Sequence, residues 1–134
     1  MVSREDLESF LVRLGSEGAS YSEVEPGMFV IRPGGTPDAQ VVVHLTPPVL
    51  LMRMNVMPMP ANEHTAAQLS RRLLELNATD LVHGAYGISA NDIILTEALE
   101  LANLDFSEFL AAYESMTLAL ASHVRELAPF REVH

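Results

Sequence analysis

Four methionines fall within eight residues of the stretch Leu51-Met52-Arg53-Met54-Asn55-Val56-Met57-Pro58-Met59-Pro60. No other segment concentrates one chemically distinctive side chain so strongly. Thioethers are soft ligands that suit copper(I), and the MxMxxMxM spacing is that of methionine-rich copper motifs. The same flexible, polarisable chains make adaptable protein-binding surfaces. A third reading is structural: Leu50, Met52, Met54 and Val56 share one face of a strand at period two and would fill a core or a dimer interface. The run Val41-Val42-Val43 just upstream reads as a central strand covered on both faces, by its own chain or by a partner. Val41, Val43, Met52, Met54, Met57 and Met59 are therefore the candidate partner or dimer interface, with copper(I) on residues 52–59 as the alternative.

Other chemistry finds little purchase. His44, His64, His83, His123 and His134 are scattered, with no HxxxH or HExxH spacing, and each reads as a surface or half-buried residue. Glu97 and Glu100 lie three apart, but paired-carboxylate catalysis also needs a cleft that drives their pKa values apart. No serine sits in a GxSxG elbow, and Gly34-Gly35 lacks the Lys and Ser/Thr of a phosphate loop. Gly84 and Gly87 mark a bulge or a close backbone approach inside a strand pattern. Without cysteine the chain has no disulfide, thiolate nucleophile or Cys-based zinc or iron–sulfur site. The reading is a non-enzyme without metal or cofactor.

Charge narrows the partners. Eighteen acidic residues face eight basic ones, all arginine, for a formal charge of −10. That balance opposes direct contact with nucleic acid or anionic lipid, and suits a basic protein instead. The polar start MVSREDLESF lacks the apolar core of a signal peptide, and no apolar run approaches a membrane span. A cytoplasmic protein is expected, forming one domain over residues 1–134.

The elements that must position these residues are legible from periodicity and caps. Ser3 caps a first helix, with Asp6 at its third position and Val2 and Leu7 as a staple. Leu7, Phe10, Leu11 and Leu14 form its stripe, and Gly15 is its left-handed stop. Residues 16–27 read as loop, with a short extended piece at 21–24. Strands follow at 28–32, 40–46 and 49–56, separated by the Pro33–Asp38 turn and by Pro47-Pro48. Such short links favour an antiparallel meander. Asn62 caps a second helix with Ala66, Leu69, Leu73 and Leu76 on one face and Asn77 as its stop. Runs 81–88 and 93–98 form a hairpin around Ser89-Ala90-Asn91-Asp92. Asp105 caps the last helix, with Glu108 as a capping-box partner and Leu104 stapling Phe109. Its stripe is Phe109, Tyr113, Met116, Leu120, Val124 and Leu127, and Pro129 follows its end. The fold class is α+β, an antiparallel sheet with helices in the order α-β-β-β-α-β-β-α.

Several of these segments carry a resemblance. Arg72-Leu73-Leu74-Glu75-Leu76-Asn77, Leu81-Val82-His83-Gly84-Ala85-Tyr86-Gly87-Ile88, Asn91-Asp92-Ile93-Ile94-Leu95 and the closing 105–127 helix together resemble the YbjN family. Its members pair a helix ending in Leu-Asn with a strand that has glycine before an aromatic. The likeness covers residues 66–127 by sequence and only the element order before that. The YbjN family in turn resembles the class I chaperones of type III secretion, small acidic homodimers that bind segments of client proteins. The resemblance implies a homodimeric, chaperone-like adaptor or regulator without a catalytic centre, and it carries over no functional residue. Three short helices also leave apolar strand surface for a second copy to cover. The acidic charge points to a basic DNA- or RNA-binding protein as client.

Overall fold

The computed structural model describes residues 1–34 and 39–131, so most of the Pro33–Asp38 turn and His134 lie outside the described residues. The element order is α1 (Arg4–Gly15), β1 (Ser20–Glu25), β2 (Met28–Arg32), β3 (Val41–Thr46), β4 (Val49–Pro58), α2 (Glu63–Thr79), β5 (Ala85–Ser89), β6 (Asp92–Glu100) and α3 (Phe106–Leu127). A 3-10 turn over Ala128–Phe130 follows. All six strands pair antiparallel in the order β1-β2-β3-β4-β6-β5. The α+β class and the order of helices and strands hold, with one strand more than the sequence reading had.

That added strand is β1. Its sequence SYSEVE is polar because it forms the sheet edge, with five of its six residues exposed, so it lacks the apolar alternation that marks a half-buried strand. Contacts with α1 hold it: Arg4 Nε donates to Glu23 Oε2 at 2.9 Å, and the Tyr21 hydroxyl meets Glu8 Oε1 at 3.4 Å. The stop of α1 also shifts. Gly15 is the last helical residue, three i+3 backbone bonds tighten the chain beyond it, and the left-handed residue is Gly18 at φ 94°.

The three N-cap residues stand where they were read. Ser3 and Asp6 form a reciprocal capping box, Asn62 Oδ1 accepts the Thr65 amide, and Asp105 Oδ1 accepts the Glu108 amide at 2.8 Å. Strand β4 runs on to Pro58 through a bulge between Asn55 and Met57, which lets Val56 and Met57 both bury. The 81–88 strand is shorter than read, because Leu81–Gly84 is irregular. A Cβ on Gly84 (φ 85°) would lie 3.1 Å from the Thr96 carbonyl oxygen and 3.4 Å from Met116 Cγ. The close-approach reading therefore holds at Gly84 and not at Gly87, which faces open space.

The core is a single cluster between the helices and one face of the sheet. Leu7, Leu11 and Leu14 of α1, Leu69, Leu73 and Leu76 of α2, and Phe109, Tyr113 and Met116 of α3 meet Phe29, Ile31, Leu50, Ile93 and Leu95. The long stripe of α3 drifts. Phe109, Ala112, Met116, His123 and Leu127 are buried, whereas Leu120 is half-buried and Val124 is 46% exposed. At 3.6 residues per turn His123, seven residues after Met116, falls within about 20° of it and so on the buried face, whereas Val124 stands about 80° from Met116 and turns out.

Candidate functional site

The methionine strand divides cleanly. Met52 and Met54 point from β4 into the core at 0% and 1% exposure, Met57 joins them past the bulge, and Met59 is half-buried against them. Val41 and Val43 on β3 are likewise completely buried. All six candidate interface residues thus belong to, or pack against, the core of the chain itself. The structural reading of the strand describes their placement; contact with a second molecule through Val41, Val43, Met52 or Met54 would require the fold to open.

The surface those strands leave for a partner is their opposite face. In the pairing register Ser22, Val30, Val42, Arg53, Thr96 and Ala85 form one row across all six strands, and Glu25, Met28, His44, Leu51 and Ala98 form the next. All three helices spend their apolar stripes on the other side, so among the described residues no helix covers these rows. Met28, Gln40, Val42, His44, Leu51, Arg53 and Asn55 line a concavity of about 580 Å³ there. Its middle is mixed: Val42 on the neighbouring strand and Leu51 two residues away along β4 lie beside the exposed Arg53. The Arg53 side chain has no ion pair or hydrogen bond among the described residues. By contrast Arg4 pairs with Glu8 and Glu23, and Arg72 with Glu75 and Glu126.

The histidines separate in the same way. His44 lies in the concavity, His64 is exposed, and His83 Nδ1 approaches Glu97 Oε2 at 3.7 Å. His123, expected near the surface, is only 5% exposed. Its Nδ1 lies 2.7 Å from the Tyr86 hydroxyl and its Nε2 3.2 Å from Asp80 Oδ2, which joins α3 to β5 and to the end of α2. Burial pushes the Tyr86 phenol up to about 12. Hydrogen bonds from Thr79 and then His123 hold the Asp80 carboxyl below its ordinary value. Both His123 nitrogens are therefore engaged inside the fold. Glu97 and Glu100 do not converge: Glu97 Oε2 accepts the Gly84 amide at 2.6 Å, while Glu100 is exposed opposite Val49. No group of three or more His, Asp or Glu among the described residues is placed to hold a metal ion, and no described helix is long and apolar enough to cross a membrane.

Asn77 is a site that sequence reasoning misassigned. Read as a helix stop, it lies inside α2, which runs on to Thr79. Its Nδ2 donates to the Tyr86 carbonyl at 3.1 Å and its Oδ1 accepts the Tyr86 amide at 2.7 Å. The side-chain amide thereby takes the place of a neighbouring strand along the open edge of β5.

The CesT_Tir_1 family model matches residues 2–132 of the chain. No curated protein matches it in sequence. Among solved structures, a chain of the heterodimeric ExoU-SpcU complex from the type III secretion system of Pseudomonas aeruginosa superposes with a TM-score of 0.65 at 14% identity, covering 91% of this chain and 97% of that one. YbjN from E. coli gives 0.64 at 13% identity over 94% and 92% of the two chains. The Yersinia pestis type III secretion chaperone SycH, in complex with a fragment of YscM2, gives 0.58 at 16% identity over 87% and 94%. At these identities the likeness is one of fold. It agrees with the YbjN-like and chaperone-like resemblance carried by the sequence.

Proposed function

The chain belongs to the CesT_Tir_1 family of type III secretion chaperones, and from that premise we propose a non-catalytic, homodimeric, chaperone-like adaptor or regulator of the cytoplasm, formed by a single domain over residues 1–134. The family match across 2–132 carries the reading; solved neighbours caught with protein partners support it. Leu74 on α2, Val82 in the following connection and Ile88 on β5 are exposed apolar residues on neighbouring elements, and they offer a contact for the second copy. The charge of −10 favours a basic client, with a DNA- or RNA-binding protein as the class meant, met through its basic surface and not through its nucleic acid.

Affinity capture from native cytosol, followed by reconstitution with the purified partner, tests the adaptor role. A basic client should associate more slowly as salt rises from about 50 to 500 mM, with dissociation changing less. Light scattering on a sizing column should give twice the 14.7 kDa chain mass; a chain-mass species at high concentration would remove the dimer. Direct binding to DNA at physiological salt would contradict the charge argument. Copper(I) on Met52, Met54, Met57 and Met59 is the competing reading. Sub-micromolar binding against a chelator, lost when these methionines become leucine, would displace the adaptor.

A further inference from the structure

The middle of the open sheet face differs in charge from the rest of this acidic molecule. Arg53 stands fourth in the six-residue row that runs from Ser22 to Ala85, and the register places Val42 on one side of it and Thr96 on the other. Of the carboxylates on β1 and β6, Glu25, Asp92 and Glu100 lie at strand ends, while Glu23 and Glu97 stand opposite the buried Phe29 and Met52, on the helix side of the sheet. The exposed guanidinium, the His44 ring and the amides of Gln40 and Asn55 therefore share the concavity with Met28, Val42 and Leu51.

We infer that this face seats an amphipathic segment of a partner protein whose apolar side chains flank one or more carboxylates. The inference rests on the protein-binding reading and assigns that reading a surface and a ligand chemistry. An amphipathic segment laid in a groove gives its apolar face to the groove and places its polar residues at the rim. Val42 and Leu51 supply the apolar floor, and Arg53 supplies a planar donor fork that matches a carboxylate in two-point contact. A basic segment would meet the guanidinium as a like charge. A second copy docked face to face about a two-fold axis through this row would bring the two Arg53 side chains together, at a cost of the same kind. The attraction of the whole molecule for basic proteins is a longer-range property of its other surfaces, so the two preferences occupy different places.

Two labelled peptides of about 16 residues, with the same leucine stripe and either glutamate or lysine beside it, test the assignment by fluorescence anisotropy on the full chain. At physiological salt the glutamate peptide should bind on the order of tenfold more tightly than the lysine peptide. Arg53→Glu should reverse the order, and Leu51→Asp should weaken both. Both positions are exposed, so circular dichroism and melting should show the variants folded. Preference for the lysine peptide, unchanged in Arg53→Glu, would overturn the inference and leave the protein-binding reading standing on the acidic surfaces. Binding of neither peptide would also overturn it, while the capture and reconstitution experiment judges the broader reading independently. Conversion of a dimer to a single chain by Leu51→Asp would give the face to a second copy and overturn it as well.

Discussion

Replacing Asn77 with alanine should loosen the β5 edge without touching the apolar core. The side chain makes two hydrogen bonds to one residue, from Nδ2 to the Tyr86 carbonyl and from the Tyr86 amide to Oδ1. A typical net contribution is about 1 kcal/mol each, so their loss costs about 2 kcal/mol. Alanine is the better helix former, by roughly 0.6 kcal/mol, and Asn77 lies within α2. The difference leaves a net destabilisation of about 1.5 kcal/mol. For a chain of this length that lowers Tm by roughly 6 °C.

Urea unfolding measures the free energy, and amide exchange followed by NMR locates it. The Tyr86 amide should exchange faster in Asn77→Ala by a factor larger than the global loss explains, because its acceptor is gone. A stability within about 0.3 kcal/mol of the parent, or Tyr86 protection that falls only in step with global unfolding, would refute the idea that the side chain stands in for a strand.

Two further outcomes follow from the packing and the charges. The Arg4 hydrogen bond holds the Glu23 carboxyl down at about 2, against 4.5 unperturbed; a depressed carboxyl pKa stabilises above the unfolded value and loses that contribution as pH falls between the two. The parent should therefore lose stability between pH 4.5 and 2 more steeply than Glu23→Gln, and superimposable acid limbs in circular dichroism would remove the pair as a contributor. On α3, Met116→Ala should cost about 2–5 kcal/mol and Val124→Ala less than about 1 kcal/mol, since Met116 is fully buried and Val124 is 46% exposed. Equal losses in urea titrations would contradict the rotation of the helical stripe.

How far the fold was legible follows from which residues carry period and which carry exceptions. Helices α1, α2 and α3 declared themselves because a cap side chain and an apolar stripe coincide at each start, as at Ser3 with Leu7. Strands β2, β3 and β4 carry dense β-branched and apolar runs between turns. Strand β1 was read only as a short extended piece within a loop, because an edge strand on the solvent side has no stripe to show. The extent of α2 was missed because asparagine is a good helix stop in isolation, and only the tertiary position of Tyr86 shows what Asn77 bonds. His123 was misread for a related reason: a polar residue on an apolar face looks like an exposed one until its two hydrogen-bond partners, from β5 and the end of α2, are in place.

The candidate site was half legible. Period-two alternation separates Met52 and Met54 from Leu51 and Arg53, and the apolar set was identified correctly as a common face. What alternation cannot state is which side of a sheet the helices will cover, because each strand offers two. Once the stripes of all three helices are committed to the methionine side, the valine and methionine residues that looked like an interface become interior. The side left over includes Val42, Leu51 and Arg53. A cation held there by a central strand, beside apolar neighbours and without an ion pair among the described residues, contributes nothing evident to folding. On the proposed reading its partner lies in another molecule, and the charge that partner brings is the quantity the two peptides measure.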